Sequence, residues 1–290
     1  MRENEFNALI RLLDDEDLEV YSQIETKILS YGKDVIPLLE DAWSQSFDAV
    51  LQTRIENIIH KIQFDALLYE LENWKNQLTQ DHSTLLDGAI LIARYQYPDL
   101  DENKIRALIK QIRRDVWVEL NDHLTALEKI NVLNHIFFSV YNFSGNTTNY
   151  HAPQNSYINT ALESKKGNPL MLSLIYSVIA QSLDIPVYGV NLPEHFILAY
   201  KNTENYSLPG QDSMGIYFYI NTFSKGTVFG KKEIDAFIKQ LGLTPEASYY
   251  EPCSNVEIIQ RLLRNLIYAY QKINEDEKVD ELQIILDRLS

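Results

Sequence analysis

Residues 167–200, GNPLMLSLIYSVIAQSLDIPVYGVNLPEHFILAY, contain a helix start, a long apolar segment and two strand-like runs. Asn168 is suited to cap the first free N–H groups of a helix, and Pro169 suits the first helical position because it has no N–H to leave unsatisfied. Gly167 allows the preceding loop to turn sharply. Serines, a glutamine and an aspartate interrupt the apolar stretch, so it predicts a buried helix over about 168–183 followed by a strand, and not a membrane span.

Three runs rich in Val, Ile, Tyr and Phe follow the predicted helix and have the composition of β-strands. They are VYGVNL, HFILAY and GIYFYIN, at 187–192, 195–200 and 215–221. Their connections are short enough for antiparallel pairing. Helical patterns resume at 231–241, and the last two predicted helices, 255–272 and 276–289, form a terminal pair. Helices, then a small sheet, then helices is the order of an α+β protein.

The first half of the chain is predicted to be helical. Apolar residues recur at helical spacing from 6 to 72, and further helical patterns cover 84–95, 102–120 and 125–142. The segment LIRLLDDEDLEVYSQIETKILSYGKDVIPLLEDAW, 9–43, resembles a HEAT-type helical unit. An ordinary antiparallel helix bundle fits the same spacing equally well.

Turn-forming residues cluster in NFSGNTTNYHAPQNS, 142–156. The hydrophobic periodicity changes after this segment, so it is predicted to be a boundary. The sequence therefore predicts three parts: a helical region over 1–149, a core over 150–245 and C-terminal helices over 246–290.

The charge and cysteine content exclude several classes of function. The chain has 26 Lys and Arg against 41 Asp and Glu, and its formal charge of −15 disfavours nucleic acid and anionic membrane surfaces as partners. The N-terminus has no apolar signal-peptide segment, so a cytoplasmic location is expected. Cys253 is the single cysteine and the six histidines show no paired spacing, so neither a metal site nor a cofactor is predicted.

Residues 155–200 and the following YINTFSKGTVF, 219–229, resemble the SirB-type branch of the transglutaminase-like superfamily. The motifs that carry the resemblance are Gly-Asn-Pro at a helix start, Pro-x-His-Phe on a strand and x-Asn-x-Phe on the next. The resemblance is close over about 150–240 and looser before 150. The stretch LLRNLIYAY, 262–270, is similar to the tetratricopeptide-like tail that often follows this core.

The resemblance implies positions for a Cys-His-Asp catalytic triad. In active members of the superfamily, a Cys at the start of the core helix attacks an acyl group, a His on the next strand activates it, and an Asp on the following strand orients the His. Counting back from Asp184 at the helix end, the Cys position falls on Pro169, the His position on His195 and the Asp position on Asn221. We expect these three residues to converge, with His195 within hydrogen-bond reach of Asn221.

Pro169 has no thiol and no backbone N–H, so the acyl-transfer mechanism is expected to be absent. Ser173, one turn further along the helix, is a possible substitute nucleophile, although hydroxyls inside helices usually bond to the preceding turn. His195 has an alternative reading as a structural histidine. Asn221 can still orient a neutral imidazole, as Asn does in papain-like sites.

Other expectations concern the surroundings of this degenerate site. The cleft is expected to involve Asn155, Asn168 and Glu194, with a turn-forming role as the alternative for Asn155. Cys253 is interpreted as a bystander because no basic neighbour lowers its pKa.

Three functions fit the sequence. The first is a catalytically inactive transglutaminase-like protein that binds a peptide or partner protein. The second is a hydrolase or acyltransferase that uses Ser173 or a water activated by His195. The third is a structural subunit whose cleft is filled by side chains. The sequence specifies no oligomeric state.

Overall fold

The computed structural model describes residues 3–15, 17–77, 83–202, 212 and 214–290. The chain forms two compact units, Met1–Asn73 and Trp74–Ser290. Every helix in the described part of the chain is too short or too polar to cross a membrane.

The α-helices up to the predicted boundary segment are α1 Glu3–Leu12, α2 Leu18–Leu29, α3 Ile36–Gln45, α4 Ala49–Asn76, α5 Ser83–Gln96, α6 Glu102–Glu119 and α7 Ala126–Asn134. A π-helical turn, His135–Val140, continues α7, and a 3-10 turn, Gly32–Val35, precedes α3.

The later elements are β1 Ser144–Gly145, α8 Ile158–Ser164, β2 Lys166–Gly167, α9 Pro169–Gln181, β3 Val187–Val190, β4 Ile197–Lys201, β5 Ile216–Asn221, β6 Thr227–Phe229, α10 Lys231–Gln240, α11 Asn255–Lys272 and α12 Asp276–Leu289. Short 3-10 turns cover Pro153–Ser156, Thr222–Ser224 and Ala247–Tyr249.

The first unit is helical, as its apolar spacing predicts. Its core is formed by buried residues of α1, α2, α3 and α4, together with Leu13 and Val35 in the connections between them. Arg54 on α4 donates a hydrogen bond to the carbonyl of Asp15 at 2.8 Å, and its guanidinium lies 4.5 Å from the ring centre of Tyr21. The HEAT-type interpretation of this region stays a prediction.

The second unit is built around α9. Every residue from Leu170 to Gln181 is buried, as expected of a helix that is apolar on all sides. The helix packs against β3 and β4 and also against α5, α6 and α8. The turn-rich segment 142–156, predicted as a boundary, lies inside this unit, and its strand β1 pairs in parallel with β2.

The main sheet has the order β3-β4-β5-β6 with antiparallel neighbours throughout. Apolar side chains of its strands form a core with Ile234 and Ile238 of α10. The α+β class, the small antiparallel sheet and the terminal helical pair are confirmed. The sequence patterns did not predict α8, β6 or the β1–β2 pair. These elements have two to seven residues and carry little periodic signal.

One side chain ties the β5–β6 hairpin to α9. Asn134, at the end of α7, donates from Nδ2 to the carbonyl of Gly226 at 3.0 Å and accepts at Oδ1 from the Tyr176 hydroxyl at 2.8 Å. Gly226 has a φ of +74°, and a Cβ at this position would collide with the Asn134 side chain. The hairpin therefore requires glycine for its backbone conformation and for its close approach to Asn134.

We expect Gly226→Ala to destabilise the protein more than Gly242→Ala. Gly242 has a similar φ of +70° but nothing within 4 Å of an added Cβ, so alanine there meets only the left-handed backbone penalty of about 1 kcal/mol. Gly226→Ala adds the collision, for a total loss of about 2–4 kcal/mol in the free energy of unfolding. Urea unfolding of both variants measures the difference, and equal losses would contradict the proposed packing.

Candidate functional site

The start of α9 is capped by a buried asparagine. Asn168 is 8% exposed, and its Oδ1 accepts a hydrogen bond from the Met171 N–H at 2.8 Å. Its Nδ2 donates to Ser156 Oγ at 2.7 Å, so both ends of the amide have partners. Pro169 occupies the first helical position, as the sequence predicts, and is partly exposed. The residue at the predicted nucleophile position is therefore accessible but has no reactive group.

Asn155 fixes the loop that precedes this helix start. It is 4% exposed, and its Nδ2 donates to the carbonyls of Asn149 at 2.6 Å and Tyr150 at 3.0 Å. Its Oδ1 accepts from Asn146 at 2.8 Å, and its backbone carbonyl accepts from the Asn168 N–H at 3.3 Å. The polar groups of Asn155 are thus used to hold the loop against the helix.

A cavity of about 190 Å³ lies at the start of α9. Four parts of the second unit line it: the 150–156 loop, the first turn of α9, the turn before β4, and one face of α11. The lining residues are Tyr150, His151, Ala152, Ser156, Asn168, Pro169, Leu170, Glu194, His195, Phe196, Arg261, Asn265, Tyr268 and Ala269. The cavity therefore brings together four of the predicted site residues: Asn168, Pro169, Glu194 and His195.

His195 lies in the turn that enters β4. The backbone N–H of His195 donates a hydrogen bond to the carbonyl of Leu192 at 3.1 Å. The preceding residue, Glu194, has a φ of +58°, which is uncommon for a residue with a side chain. The imidazole is exposed and lies 4.8 Å from the ring of Phe237 on α10, measured between ring centres. His195 thus lies at the mouth of the cavity, with an aromatic neighbour on one side.

Asn221 has a capping role at the end of β5. Its side chain accepts a hydrogen bond from the Ser224 N–H at 3.2 Å and so begins the 3-10 turn that follows. The hydrogen bonds of the described residues do not include the predicted His195–Asn221 pair, and Asn221 is not among the cavity-lining residues. The physical reason is local, because Asn221 Oδ1 satisfies a turn N–H and the His195 ring packs beside Phe237.

Ser173 lies in the interior. It is 0% exposed, and its Oγ lies 2.7 Å from the hydroxyl of Thr222, which is 1% exposed. The two hydroxyls join α9 to the turn after β5. Ser173 does not line the cavity, so a substrate held there has no route to its hydroxyl.

One face of α11 also lines the cavity, which the sequence motifs did not predict. Arg261, Asn265 and Tyr268 are spaced at i, i+4 and i+7, which places them on one helix face. Arg261 is half-buried, and burial together with the neighbouring Arg264 guanidinium lowers its pKa from the ordinary value. The spacing was visible in the sequence, but nothing local linked it to a helix start almost 100 residues earlier.

Aromatic side chains surround the cavity mouth. Tyr150 and Tyr268 are 41% and 47% exposed, and His151 makes edge contacts with both, with ring centres 5.1 and 5.6 Å apart. Tyr150 also meets Phe223 edge-on at 5.9 Å. Rings with a polar tip are suited to a half-wet binding surface. Within the described ranges, no group of three or more His, Cys, Asp or Glu side chains is arranged to hold a metal ion.

A second concave region lies away from the predicted site. This groove of about 870 Å³ is lined by the α5–α6 connection, the first half of α6, and α8. Asn159 on α8 lines it and is 9% exposed, and its buried Oδ1 has no hydrogen-bond partner among the described residues. The predicted site residues do not contribute to this groove.

Cys253 lies outside both concave regions and is half-buried beside β3. Its thiol donates toward the carbonyl of Gly189 at 3.3 Å. Burial, with a smaller contribution from Glu257, raises the pKa of the thiol to about 12. The environment therefore keeps the sulfur protonated and poorly nucleophilic.

The structure is an α+β protein in which the start of a buried helix, the turn before β4 and one face of α11 line a common cavity. A sequence model of the transglutaminase-like superfamily matches residues 103–264, more than half of the chain, and the chain belongs to that superfamily. The resemblance drawn from residues 155–229 is confirmed, and the match extends further toward the N-terminus than the close part of that resemblance.

Bacterial and animal proteins are similar to this chain in sequence. A UPF0162 protein of Xylella fastidiosa strain 9a5c is 30% identical over 209 residues, which cover 69% of this chain and 70% of the relative. Human F-box only protein 21 is 26% identical over 255 residues, which cover 80% of this chain but 39% of that protein. No solved structure matches the chain.

We expect Cys253 to react slowly with alkylating reagents in the folded protein. Near pH 8 the thiolate fraction of a thiol with a pKa of about 12 is on the order of a thousandfold below that of a free cysteine with a pKa of about 8.5. Iodoacetamide labelling of the native and the urea-unfolded chain, followed by mass spectrometry, measures the two rates. Native labelling within tenfold of the unfolded rate would show that the thiol is not held as described.

Proposed function

We propose that this chain is a transglutaminase-like protein without catalytic activity, which binds a peptide or a segment of a partner protein in the cavity at the start of α9. The observation that carries the proposal is that Pro169 lines the same cavity as His195. The resemblance to the superfamily assigns the nucleophile of active members to this proline. A proline contributes neither a nucleophile nor an N–H for an oxyanion hole.

The hydroxyls near the site do not replace the missing thiol. Ser173 is fully buried against Thr222, and Ser156 is 2% exposed and accepts a hydrogen bond from Asn168. A nucleophilic serine needs a base within hydrogen-bond reach, and neither hydroxyl has a histidine as its partner. These arrangements support the loss of the acyl-transfer mechanism.

The lining of the cavity supports a binding role. Two tyrosines and a histidine lie around the mouth of the cavity. An arginine and an asparagine line its α11 side, and the start of the long buried helix α9 lines another side. Exposed aromatic rings beside an arginine are typical of protein-interaction surfaces. The cytoplasmic location expected from the sequence is part of this proposal.

The binding role is tested with random hexapeptides passed over the immobilised full-length chain, with retained peptides identified by mass spectrometry. Asn265→Tyr fills the cavity from α11 and is expected to abolish retention. Gln271→Tyr, an exposed position on the same helix, adds the same ring outside the cavity and is expected to retain the same peptides. Retention that is insensitive to Asn265→Tyr, or no retention at all, would refute binding at this site.

The degenerate nucleophile position is tested by Pro169→Cys in a Cys253→Ala background. A thiol at a helix start and beside an imidazole is stabilised as the thiolate, so its pKa is expected below the free-cysteine value of about 8.5. Alkylation rates as a function of pH give this pKa, and the same chain unfolded in urea is the control. Adding His195→Ala is expected to raise the pKa of the introduced thiol toward its value in the unfolded chain. Equal pKa values in the folded and unfolded chains would mean that helix start and histidine are not arranged as in the superfamily.

A further inference from the structure

The cavity at the start of α9 contains an arginine without an acidic partner. Arg261 is half-buried, and the ion pairs and hydrogen bonds of the described residues do not include its guanidinium. Among the described lining residues, Glu194 is the one carboxylate; it is exposed and forms no ion pair with Arg261. Removing a guanidinium from water without a counter-ion is unfavourable. The chain has an excess of acidic residues, with a formal charge of −15, yet none of the described ones pairs with Arg261.

Neutral donors line the same cavity as Arg261. Asn265 lies one turn further along α11, and the described hydrogen bonds do not engage its amide. Leu170 follows Pro169 in the first turn of α9, and its N–H has no acceptor among the described hydrogen bonds. The start of a 13-residue helix adds positive potential. The hydroxyls of Tyr150 and Tyr268 lie at the mouth.

We propose that the cavity binds a carboxylate group of a peptide, with Arg261 as its counter-ion and Asn265 and the Leu170 N–H as neutral donors. This inference deepens the binding role proposed above and rests on it. One guanidinium balances one negative charge, and its forked donors match a planar carboxylate. A phosphate dianion would leave a charge unbalanced in a cavity that also borders Glu194.

The size of the cavity limits how much of the peptide enters. About 190 Å³ is well below the volume of pockets that enclose drug-sized ligands, which start at about 300 Å³. One residue with its carboxylate fits this space, while the rest of the peptide lies across the exposed rings of Tyr150 and Tyr268. Two sources supply that chemistry: the C-terminus of a chain and the side chain of Asp or Glu.

The experiment is calorimetric titration of the full-length chain with inorganic phosphate and, separately, with three N-acetylated alanine tetrapeptides. One has a free C-terminal carboxylate, one has a C-terminal amide, and one has a C-terminal amide and glutamate at the third position. The free acid, the glutamate peptide or both are expected to bind at least about tenfold more tightly than the neutral amide. The peptide that binds more tightly of these two shows whether the natural carboxylate comes from a chain terminus or from an acidic side chain.

Three variants separate recognition from folding. Arg261→Gln is expected to weaken carboxylate binding at least about tenfold, whereas Lys239→Gln removes an exposed cation of α10 outside the cavity and is expected to leave it unchanged. Asn265→Asp places a carboxylate one turn from Arg261 and should abolish binding of the acidic peptides. Its urea midpoint is expected to equal or exceed that of the native chain, because Arg261 then has an i,i+4 partner.

Each other outcome overturns the inference. These outcomes are equal binding of acid and neutral peptides, unchanged binding by Arg261→Gln, inorganic phosphate binding more tightly than either acid peptide, or no binding by any of the probes. If none of the probes binds, the hexapeptide experiment decides what fails. Retention of hexapeptides that is lost in Asn265→Tyr but kept in Arg261→Gln would support the binding role and contradict its specificity for a carboxylate. Failure of both experiments removes the binding role as well.

Discussion

The second unit depends on how the start of a fully buried helix is satisfied. The first N–H groups of any helix have no intrahelical acceptor, and burying them without partners is strongly unfavourable. In α9, Pro169 has no N–H, the Asn168 side chain satisfies Met171, and the Asn168 N–H is bonded to the carbonyl of Asn155. The loop before the helix must therefore be fixed in place, which Asn155 achieves through the carbonyls of Asn149 and Tyr150.

The same burial requires the polar side chains of α9 to find hydrogen-bond partners inside the protein. Its polar groups are used to join it to neighbouring elements: Ser173 to Thr222, Tyr176 to Asn134, and Gln181 to the carbonyl of Val187 at 2.6 Å. What the helix presents to the cavity is its start, where the potential is positive. The proposed carboxylate site combines this potential with the guanidinium of Arg261.

Much of the fold followed from local patterns. The terminal helices begin and end where the apolar spacing predicts, at 255–272 and 276–289, because each has one buried face and a polar opposite face. The short α8 and the parallel β1–β2 pair were missed because elements of two to seven residues carry little periodic signal. They pack against α9 and other distant segments, which local patterns do not reveal. The cluster of turn-forming residues also set 142–156 apart from the helical segments before it. It did not reveal that β1, within this segment, pairs with β2.

The sequence by itself determined the residues that cap the helix start and the presence of proline, which has no nucleophile, at position 169. It predicted His195 on the next strand, whereas the structure places His195 in the turn before β4. These predictions depend on capping chemistry and on motifs of a few neighbouring residues. Only the tertiary structure decided that Asn221 caps a turn, that Ser173 is sealed against Thr222, and that Arg261, Asn265 and Tyr268 complete the cavity. The physical reason is that hydrogen-bond partners and counter-charges are set by which distant segments pack together, and helical spacing fixes a face without fixing what that face meets.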